Sequence, residues 1–292
     1  MTYNIGGHNI KVNMYCGDEA LNRLLPSFVP FKTNTKEGEK YLFILDVCEI
    51  LEPKCNTECC MIKDVDTGNG ITHVAKLENG GYQFKIYNVD EQLCALLICS
   101  KAFKKCQCKI IGSTSMARFA LNNALMLVFA FSSAKQETLL LHASVVRHND
   151  VAYAFTAKSG TGKSTQVANW IQNIEGCDII NDDNPIIRII GNDAILYGST
   201  WSGKTPCYRN QSVRLGALLQ IKRDNHNYVT PQLPIIAFST LLTGCSAMKW
   251  DEVLFQNVCS TASKVVERIK VAELHCLPDA QSAFVCKEYL EA

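Results

Sequence analysis

A glycine-rich segment between two apolar runs is the feature that most restricts how this 292-residue chain can fold. The segment 157–165 reads AKSGTGKST. Residues 152–156 before it predict a strand, and residues 163–174 predict a helix that begins inside the segment. A strand, a tight glycine turn and a helix in this order are typical of an α/β fold with a phosphate-binding loop.

The residue types of this segment suit phosphate binding. Gly160 and Gly162 allow backbone conformations that other residues avoid and let the main chain approach phosphate oxygens. Backbone N–H groups at the start of a helix carry partial positive charge. We expect Lys163 to contact the β- and γ-phosphates and Ser164 to ligate Mg²⁺. The predicted nucleotide-binding residues are Ser159, Gly160, Thr161, Gly162, Lys163, Ser164 and Thr165.

Two adjacent carboxylates follow the next predicted strand, residues 178–181. Asp182 and Asp183 come 19 and 20 residues after Lys163. Asp-Asp before Asn-Pro is often only a turn, but the phosphate loop upstream favours a functional interpretation. One aspartate is expected to hold Mg²⁺, and the other to accept or orient the proton of an attacking hydroxyl group. The sequence leaves open which aspartate has which role.

Three segments together resemble the HPr kinase and phosphoenolpyruvate carboxykinase superfamily. They are Leu141–Val146 (LHASVV), Phe155–Thr165 (FTAKSGTGKST) and Asn181–Asp183 (NDD). The chain looks most similar to the HPr-kinase-related proteins, which phosphorylate serine on proteins or peptides. The resemblance implies a P-loop kinase domain of this type, ATP and Mg²⁺ as cofactors, and His142 close to the nucleotide phosphates. It also implies a possible homo-oligomer.

Three further basic residues are candidates to complete the site. Lys204 lies in a Gly/Ser-rich loop, residues 197–205, and is expected to close over the γ-phosphate, with an ordinary surface lysine as the alternative. Arg209 and Arg214 follow this loop and are candidate phosphate contacts, because a guanidinium binds phosphate through two hydrogen bonds. A surface position is the alternative for each arginine.

The change in sequence pattern at Gly112 predicts a boundary between two domains. Residues 1–112 predict a β-rich N-terminal domain, with a hairpin from strands 71–77 and 82–87 and a loop over 57–70. Residues 113–292 predict the P-loop kinase-like domain. The predicted elements of that domain are helices at 116–135, 163–174, 252–271 and 279–290 and strands at 139–146, 152–156, 178–181, 186–190 and 215–221.

Composition excludes several classes of protein. With 47% hydrophobic residues the chain is not mainly disordered, and 29 basic against 28 acidic residues argue against nucleic-acid binding by bulk electrostatics. The most apolar helix-like run, residues 119–131, is too short to span a bilayer. The N-terminus has no secretory signal pattern. Fifteen cysteines indicate buried thiols more than disulfides. We therefore expect a cytoplasmic protein with no membrane or nucleic-acid partner.

The function predicted from these residues is ATP- and Mg²⁺-dependent transfer of the γ-phosphate to a hydroxyl acceptor. The acceptor is serine-type and lies on a peptide, a small protein or a small molecule. Two alternatives stay open, a nucleotide-binding regulator without turnover and an ATPase coupled to a partner. The chain has no guanine-specific Asn-Lys-x-Asp element, which argues against a GTPase that drives a partner. The choice between ATP and GTP as the phosphate donor also stays open.

Overall fold

Two β-sheets, each with its own helices, make up the computed structural model, which describes residues 1–34, 38–55, 57–203 and 205–292. The chain divides into two units, Met1–Ser133 and Ala134–Ala292. The protein is therefore a mixed α/β protein with two sheets. All fifteen cysteines lie within the described ranges and are free thiols.

The first unit is an eight-stranded sheet in the order β1-β2-β3-β8-β7-β6-β5-β4. Its strands are β1 Thr2–Ile5, β2 His8–Met14, β3 Ile44–Val47, β4 Cys59–Asp66, β5 Ile71–Leu77, β6 Tyr82–Tyr87, β7 Leu93–Cys99 and β8 Lys105–Ile110. Its helices are α1 Asp18–Leu24 and α2 Thr114–Ser133, with a 3-10 helix at Pro26–Phe31.

The predicted hairpin is confirmed in β5 and β6. Tyr82, Phe84 and Ile86 alternate along β6 and are each at most 2% exposed, because this face of the strand packs into the core. Gly80 in the turn has a φ of +78°, a conformation that favours glycine. The predicted loop over 57–70 was wrong, since it contains strand β4. This strand lies at the sheet edge with both faces largely exposed, so it lacks the apolar alternation that reveals most strands.

Helix α2 changes the predicted domain boundary. The sequence predicts the boundary at Gly112, whereas the division falls one helix later, after Ser133, because α2 packs on β6, β7 and β8 of the first sheet. Residues Thr114–Gln136, the helix and the short turn after it, are long and apolar enough to cross a membrane by length and composition. Half of its apolar window is buried inside the protein.

The second unit has a nine-stranded sheet. Its strands are β9 Thr138–Leu140, β10 Ala143–His148, β11 Val151–Thr156, β12 Cys177–Asp183, β13 Ile186–Ile190, β14 Asp193–Tyr197, β15 Ser212–Arg223, β16 Tyr228–Pro231 and β17 Lys270–Cys276. Its helices are α3 Lys163–Asn173, α4 Pro234–Gly244, α5 Glu252–Val266 and α6 Ala280–Glu291. The main path runs β12-β10-β11-β15-β14-β13-β9, and β17 pairs with β15 and β16.

Strand β15 is the centre of this sheet. Its 12 residues pair with β11 in parallel along one edge. On the other edge, residues 212–214 pair with β14 and residues 217–223 pair with β17. Helices α3 and α6 cover one face, where Trp170 of α3 is fully buried beside Phe155. This core holds the start of α3 above the end of β11, which is where the glycine-rich segment 157–162 lies.

Two predicted elements of this unit differ from the structure. The helix predicted over 252–271 ends at Val266, because the chain then turns and joins the sheet as β17, whose partner β15 lies far away in sequence. The strand predicted over 139–146 is broken into β9 and β10. At the break the backbone N–H of His142 donates to the carbonyl of Gly244 at 2.8 Å, so the two halves pair with different strands.

Candidate active site

The segment 157–162 joins β11 to α3 with the backbone that its glycines allow. Gly160 and Gly162 have φ values of +76° and +129°, which favour residues without a side chain. Helix α3 begins at Lys163, so the loop lies against a helix N-terminus with its partial positive charge. The structure therefore confirms the strand, glycine turn and helix that the sequence predicts.

Lys163 points from the helix start toward strand β10. Its ammonium lies 2.9 Å from Nε2 of His142 and 3.2 Å from the carbonyl oxygen of Ala157. Partial burial lowers the pKa of Lys163 below its ordinary value, and the carboxylates of Asp183 and Asp182 offset part of that shift. The lysine is therefore held on the same side of the loop as the two aspartates.

Asp182 is a buried carboxylate at the end of β12, only 3% exposed. Its Oδ1 accepts hydrogen bonds from the hydroxyl groups of Ser164 at 2.9 Å and Ser144 at 2.6 Å. Its Oδ2 is also shielded from solvent and has no hydrogen-bond partner among the described residues. A buried oxygen without a partner costs free energy, so this atom is suited to a cation or another donor.

Asp183 is more open and contacts His142. Its Oδ1 lies 3.0 Å from Nδ1 of the histidine, and its Oδ2 accepts from the side-chain amide of Asn184 at 2.7 Å. An ammonium group only donates hydrogen bonds, so Nε2 of His142 accepts from Lys163 and its proton lies on Nδ1, facing Asp183. Asp183, His142 and Lys163 thus form a continuous hydrogen-bonded chain.

The segment after β14 supports the carboxylates from the side. The Asn181 amide donates to the Ser199 hydroxyl and to the Trp201 carbonyl, both at 3.1 Å. The Gly203 N–H donates to the carbonyl of Asp182 at 2.7 Å, and a Cβ at Gly203 would come within 2.7 Å of the same oxygen. A glycine is therefore needed for this close approach. Lys204, the predicted loop lysine, lies outside the described residues.

The two predicted arginines are placed far from the phosphate loop. Arg209, together with Arg147, contacts Asp178 at the opposite end of β12, roughly 16 Å from Asp183 at about 3.3 Å per residue. Partial burial raises the pKa of Asp178, but hydrogen bonds from both guanidinium groups leave it lowered overall. Arg214 pairs with Val151 at the start of β11, whereas the loop follows its end. Neither arginine belongs to this group of side chains.

Arg223 contacts the loop instead, and the sequence analysis missed it. This residue ends β15, which runs parallel to β11, so it lies at the same sheet edge as the loop. Its guanidinium donates to the carbonyl oxygens of Gly160 and, at 3.1 Å, Thr161. Holding these carbonyls favours the loop conformation that presents its N–H groups to an anion. No local pattern distinguishes Arg223 from other arginines, whereas Ser144 was detectable as the same-face neighbour of His142.

Replacing Arg223 with glutamine is expected to weaken the binding of inorganic tripolyphosphate at the loop about tenfold, because two charge-assisted hydrogen bonds that hold the loop are lost. The dissociation constant for tripolyphosphate, measured by isothermal titration calorimetry, checks this. Arg214→Gln is the matched control on the same strand and is expected to bind tripolyphosphate like the unmodified protein. Equal affinities for both variants would remove Arg223 from the site.

Comparisons with known proteins give little direct guidance. No protein-family model matches the chain, and no curated protein matches it. Among solved structures, the Hpr(Ser) kinase/phosphatase from Coxiella burnetii aligns with a TM-score of 0.30 and 11% sequence identity, over 51% of this chain and 95% of that chain. A similarity at this level carries no argument about the fold or the site.

Proposed function

We propose that the second unit is an ATP- and Mg²⁺-dependent phosphotransferase with a P-loop kinase domain. It would transfer the γ-phosphate to a hydroxyl group on a peptide, a small protein or a small molecule. One observation carries the proposal: the helix-start residues Lys163 and Ser164 lie within hydrogen-bond distance of a group that includes both aspartates. The cytoplasmic location and the homo-oligomer belong to the same proposal.

Phosphoryl transfer needs positioning and charge neutralisation more than covalent help from the protein. The loop amides and the N-terminus of α3 supply partial positive charge for the phosphates. Lys163 adds a full charge on the side where the aspartates lie. Because the ammonium is half-buried, its attraction for a phosphate oxygen is stronger than it would be in water.

Ser164 and Asp182 suit a magnesium ion. Magnesium is usually held by one or two carboxylates, with water and substrate phosphates as the other ligands. A site with one carboxylate and one hydroxyl therefore fits magnesium bound together with a nucleotide. Bound magnesium would neutralise charge on the phosphates.

Asp183 is suited to accept the proton of the acceptor hydroxyl group. Its side chain is 34% exposed, so it is accessible to an incoming hydroxyl, whereas Asp182 is enclosed. The acceptor oxygen forms a bond to the γ-phosphorus while the bond to the β–γ bridging oxygen breaks, and the hydroxyl proton passes to Asp183. The Nδ1–H of His142 and the amide of Asn184 hold this carboxylate in place. The difference in exposure between the two aspartates supports this division of roles.

Replacing His142 with alanine is expected to lower phosphoryl transfer about tenfold to a hundredfold, because Asp183 and Lys163 both lose a partner that orients them. The affinity for ATP should change little, since the loop amides remain. Steady-state transfer rates and calorimetric affinities separate the two effects. His226→Ala, at an exposed position, is the control. An unchanged transfer rate in His142→Ala would take His142 out of the site.

The proposal is tested by transfer from γ-labelled ATP with Mg²⁺, using purified protein added to an extract of the source cells. Label would be sought in the protein, peptide and small-molecule fractions, with Lys163→Ala as the background. Lys163-dependent label in one fraction supports the kinase and identifies the class of acceptor. Label released only as free phosphate supports an ATPase. Bound nucleotide without Lys163-dependent turnover supports a regulator, and either of these two outcomes contradicts the proposal.

A further inference from the structure

A second feature of the phosphate loop lies on the side away from the aspartates. In the sheet, β10 and β12 lie on one side of β11, and β15 and β17 lie on the other. Two cavities, of about 480 Å³ and about 400 Å³, open on the β15 side. Both are lined by Gly160, Thr161, Ile221 and Arg223, and the smaller one also reaches the first turns of α3 and the segment after β17.

The position of the carboxylates indicates how a bound nucleotide would be oriented. Lys163, Ser164 and Asp183 form the end of the site where the terminal phosphate is expected. If the terminal phosphate of a nucleoside triphosphate lies at that end and the phosphate chain crosses the loop, the nucleoside lies on the β15 side. Thr165 follows Ser164 in the first turn of α3 and lines the smaller cavity, which continues this path.

The walls of the smaller cavity have the chemistry of a nucleoside site. Ile221, Leu277 and Pro278 offer apolar surface to a planar base, and a volume of about 400 Å³ is within the range of small-ligand sites. The segment that carries Leu277 is preorganised, since its N–H donates to the side chain of Asn227 at 2.8 Å. Asn227 in turn donates to Asp279 at 3.0 Å. A wall held in this way loses little freedom when a ligand binds.

Gln166 is the independent sign that a ligand belongs in this cavity. It lines the cavity and is only 3% exposed. Its Oε1 accepts a hydrogen bond from the Ser282 hydroxyl at 2.8 Å, but its Nε2 is shielded from solvent and finds no partner in the described ranges. A buried amide donor left without an acceptor is costly, and a small rotation of the side chain toward the cavity would let an acceptor atom on a ligand satisfy it.

We infer that this cavity binds the nucleoside of the phosphate donor. The base packs against Leu277 and Pro278, and the Gln166 amide donates to an acceptor atom of the base or sugar. The inference rests on the proposed function, because it takes the ligand to be a nucleoside triphosphate. It assigns nucleoside recognition to residues that lie outside the glycine-rich sequence.

The test compares ATP with inorganic tripolyphosphate, which has the phosphates without the nucleoside. Calorimetry in Mg²⁺ measures both affinities for the unmodified protein, Leu277→Ala and Gln166→Leu. The unmodified protein should bind ATP at least about tenfold more tightly than tripolyphosphate. Each substitution should weaken ATP binding about fivefold, through lost apolar contact or a lost hydrogen bond, and leave tripolyphosphate binding unchanged.

Two features keep the outcomes separate. Leu277 is 38% exposed, so Leu277→Ala should not disturb folding even if the substitution of buried Gln166 does. Leu233→Ala, at another exposed leucine, is the matched control. Equal affinities for ATP and tripolyphosphate in the unmodified protein, or equal losses for both ligands in the variants, would overturn the inference and leave the phosphate site intact. If neither ligand binds, the proposed function fails together with it.

Discussion

Replacing Lys163 with alanine is expected to lower the rate of phosphoryl transfer by about 10³-fold, because a positioned charge beside the transferred group is lost. The substitution also removes the contacts to His142 and to the carbonyl of Ala157. The loop conformation itself depends on Gly160, Gly162 and the contacts of Arg223, so it should persist. The measurement is the rate at which label passes from γ-labelled ATP to the extract fraction that accepts it.

Lys158→Ala is the matched control for this prediction. Lys158 lies on the same loop, is exposed, and lines the larger cavity on the side away from the aspartates. Its loss should change the transfer rate by less than about threefold, as expected for an exposed charge. If both substitutions lower the transfer rate by the same factor, the loop needs only general positive charge, and the particular role of Lys163 is refuted.

Replacing Asp183 with asparagine is expected to lower the transfer rate by about 10³-fold, because an amide cannot accept the proton of the acceptor hydroxyl. Asparagine preserves the size of the side chain and can still accept a hydrogen bond from His142. The affinity for Mg²⁺-ATP should therefore stay within about threefold. Transfer rates measured over a range of Mg²⁺ concentrations check both statements.

Asp182→Asn is the companion variant that separates the two aspartates. This substitution should mainly weaken the affinity for Mg²⁺, because the buried carboxylate beside Ser164 loses its charge. The Mg²⁺ concentration that gives the half-maximal rate should rise about tenfold or more. If Asp183→Asn instead produces the larger shift in Mg²⁺ dependence, the roles of the two residues are reversed. An ATPase would show both effects in phosphate release without any acceptor.

Local sequence predicted the elements whose conformation depends on near neighbours. The hairpin of β5 and β6 follows from apolar alternation and a glycine turn, and the turn between β11 and α3 follows from Gly160 and Gly162. Strand β17 was missed because its segment is stabilised by β15 rather than by its own pattern, and edge strand β4 was missed because it has no buried face. The structural division falls after α2 and the predicted boundary before it for a similar reason. Helix α2 belongs to the first unit because it packs on the first sheet.

The sequence by itself predicted the residues of the candidate site: Lys163 and Ser164 at a helix start, Asp182 and Asp183 after a strand, and, through the family resemblance, His142. Only the tertiary structure decided which aspartate is enclosed beside Ser164 and which is open beside His142. It also decided which arginine contacts the loop, since Arg223 lies 63 residues from Gly160. The physical reason is that burial and strand direction depend on pairing between distant segments, whereas a glycine turn before a helix depends on adjacent residues.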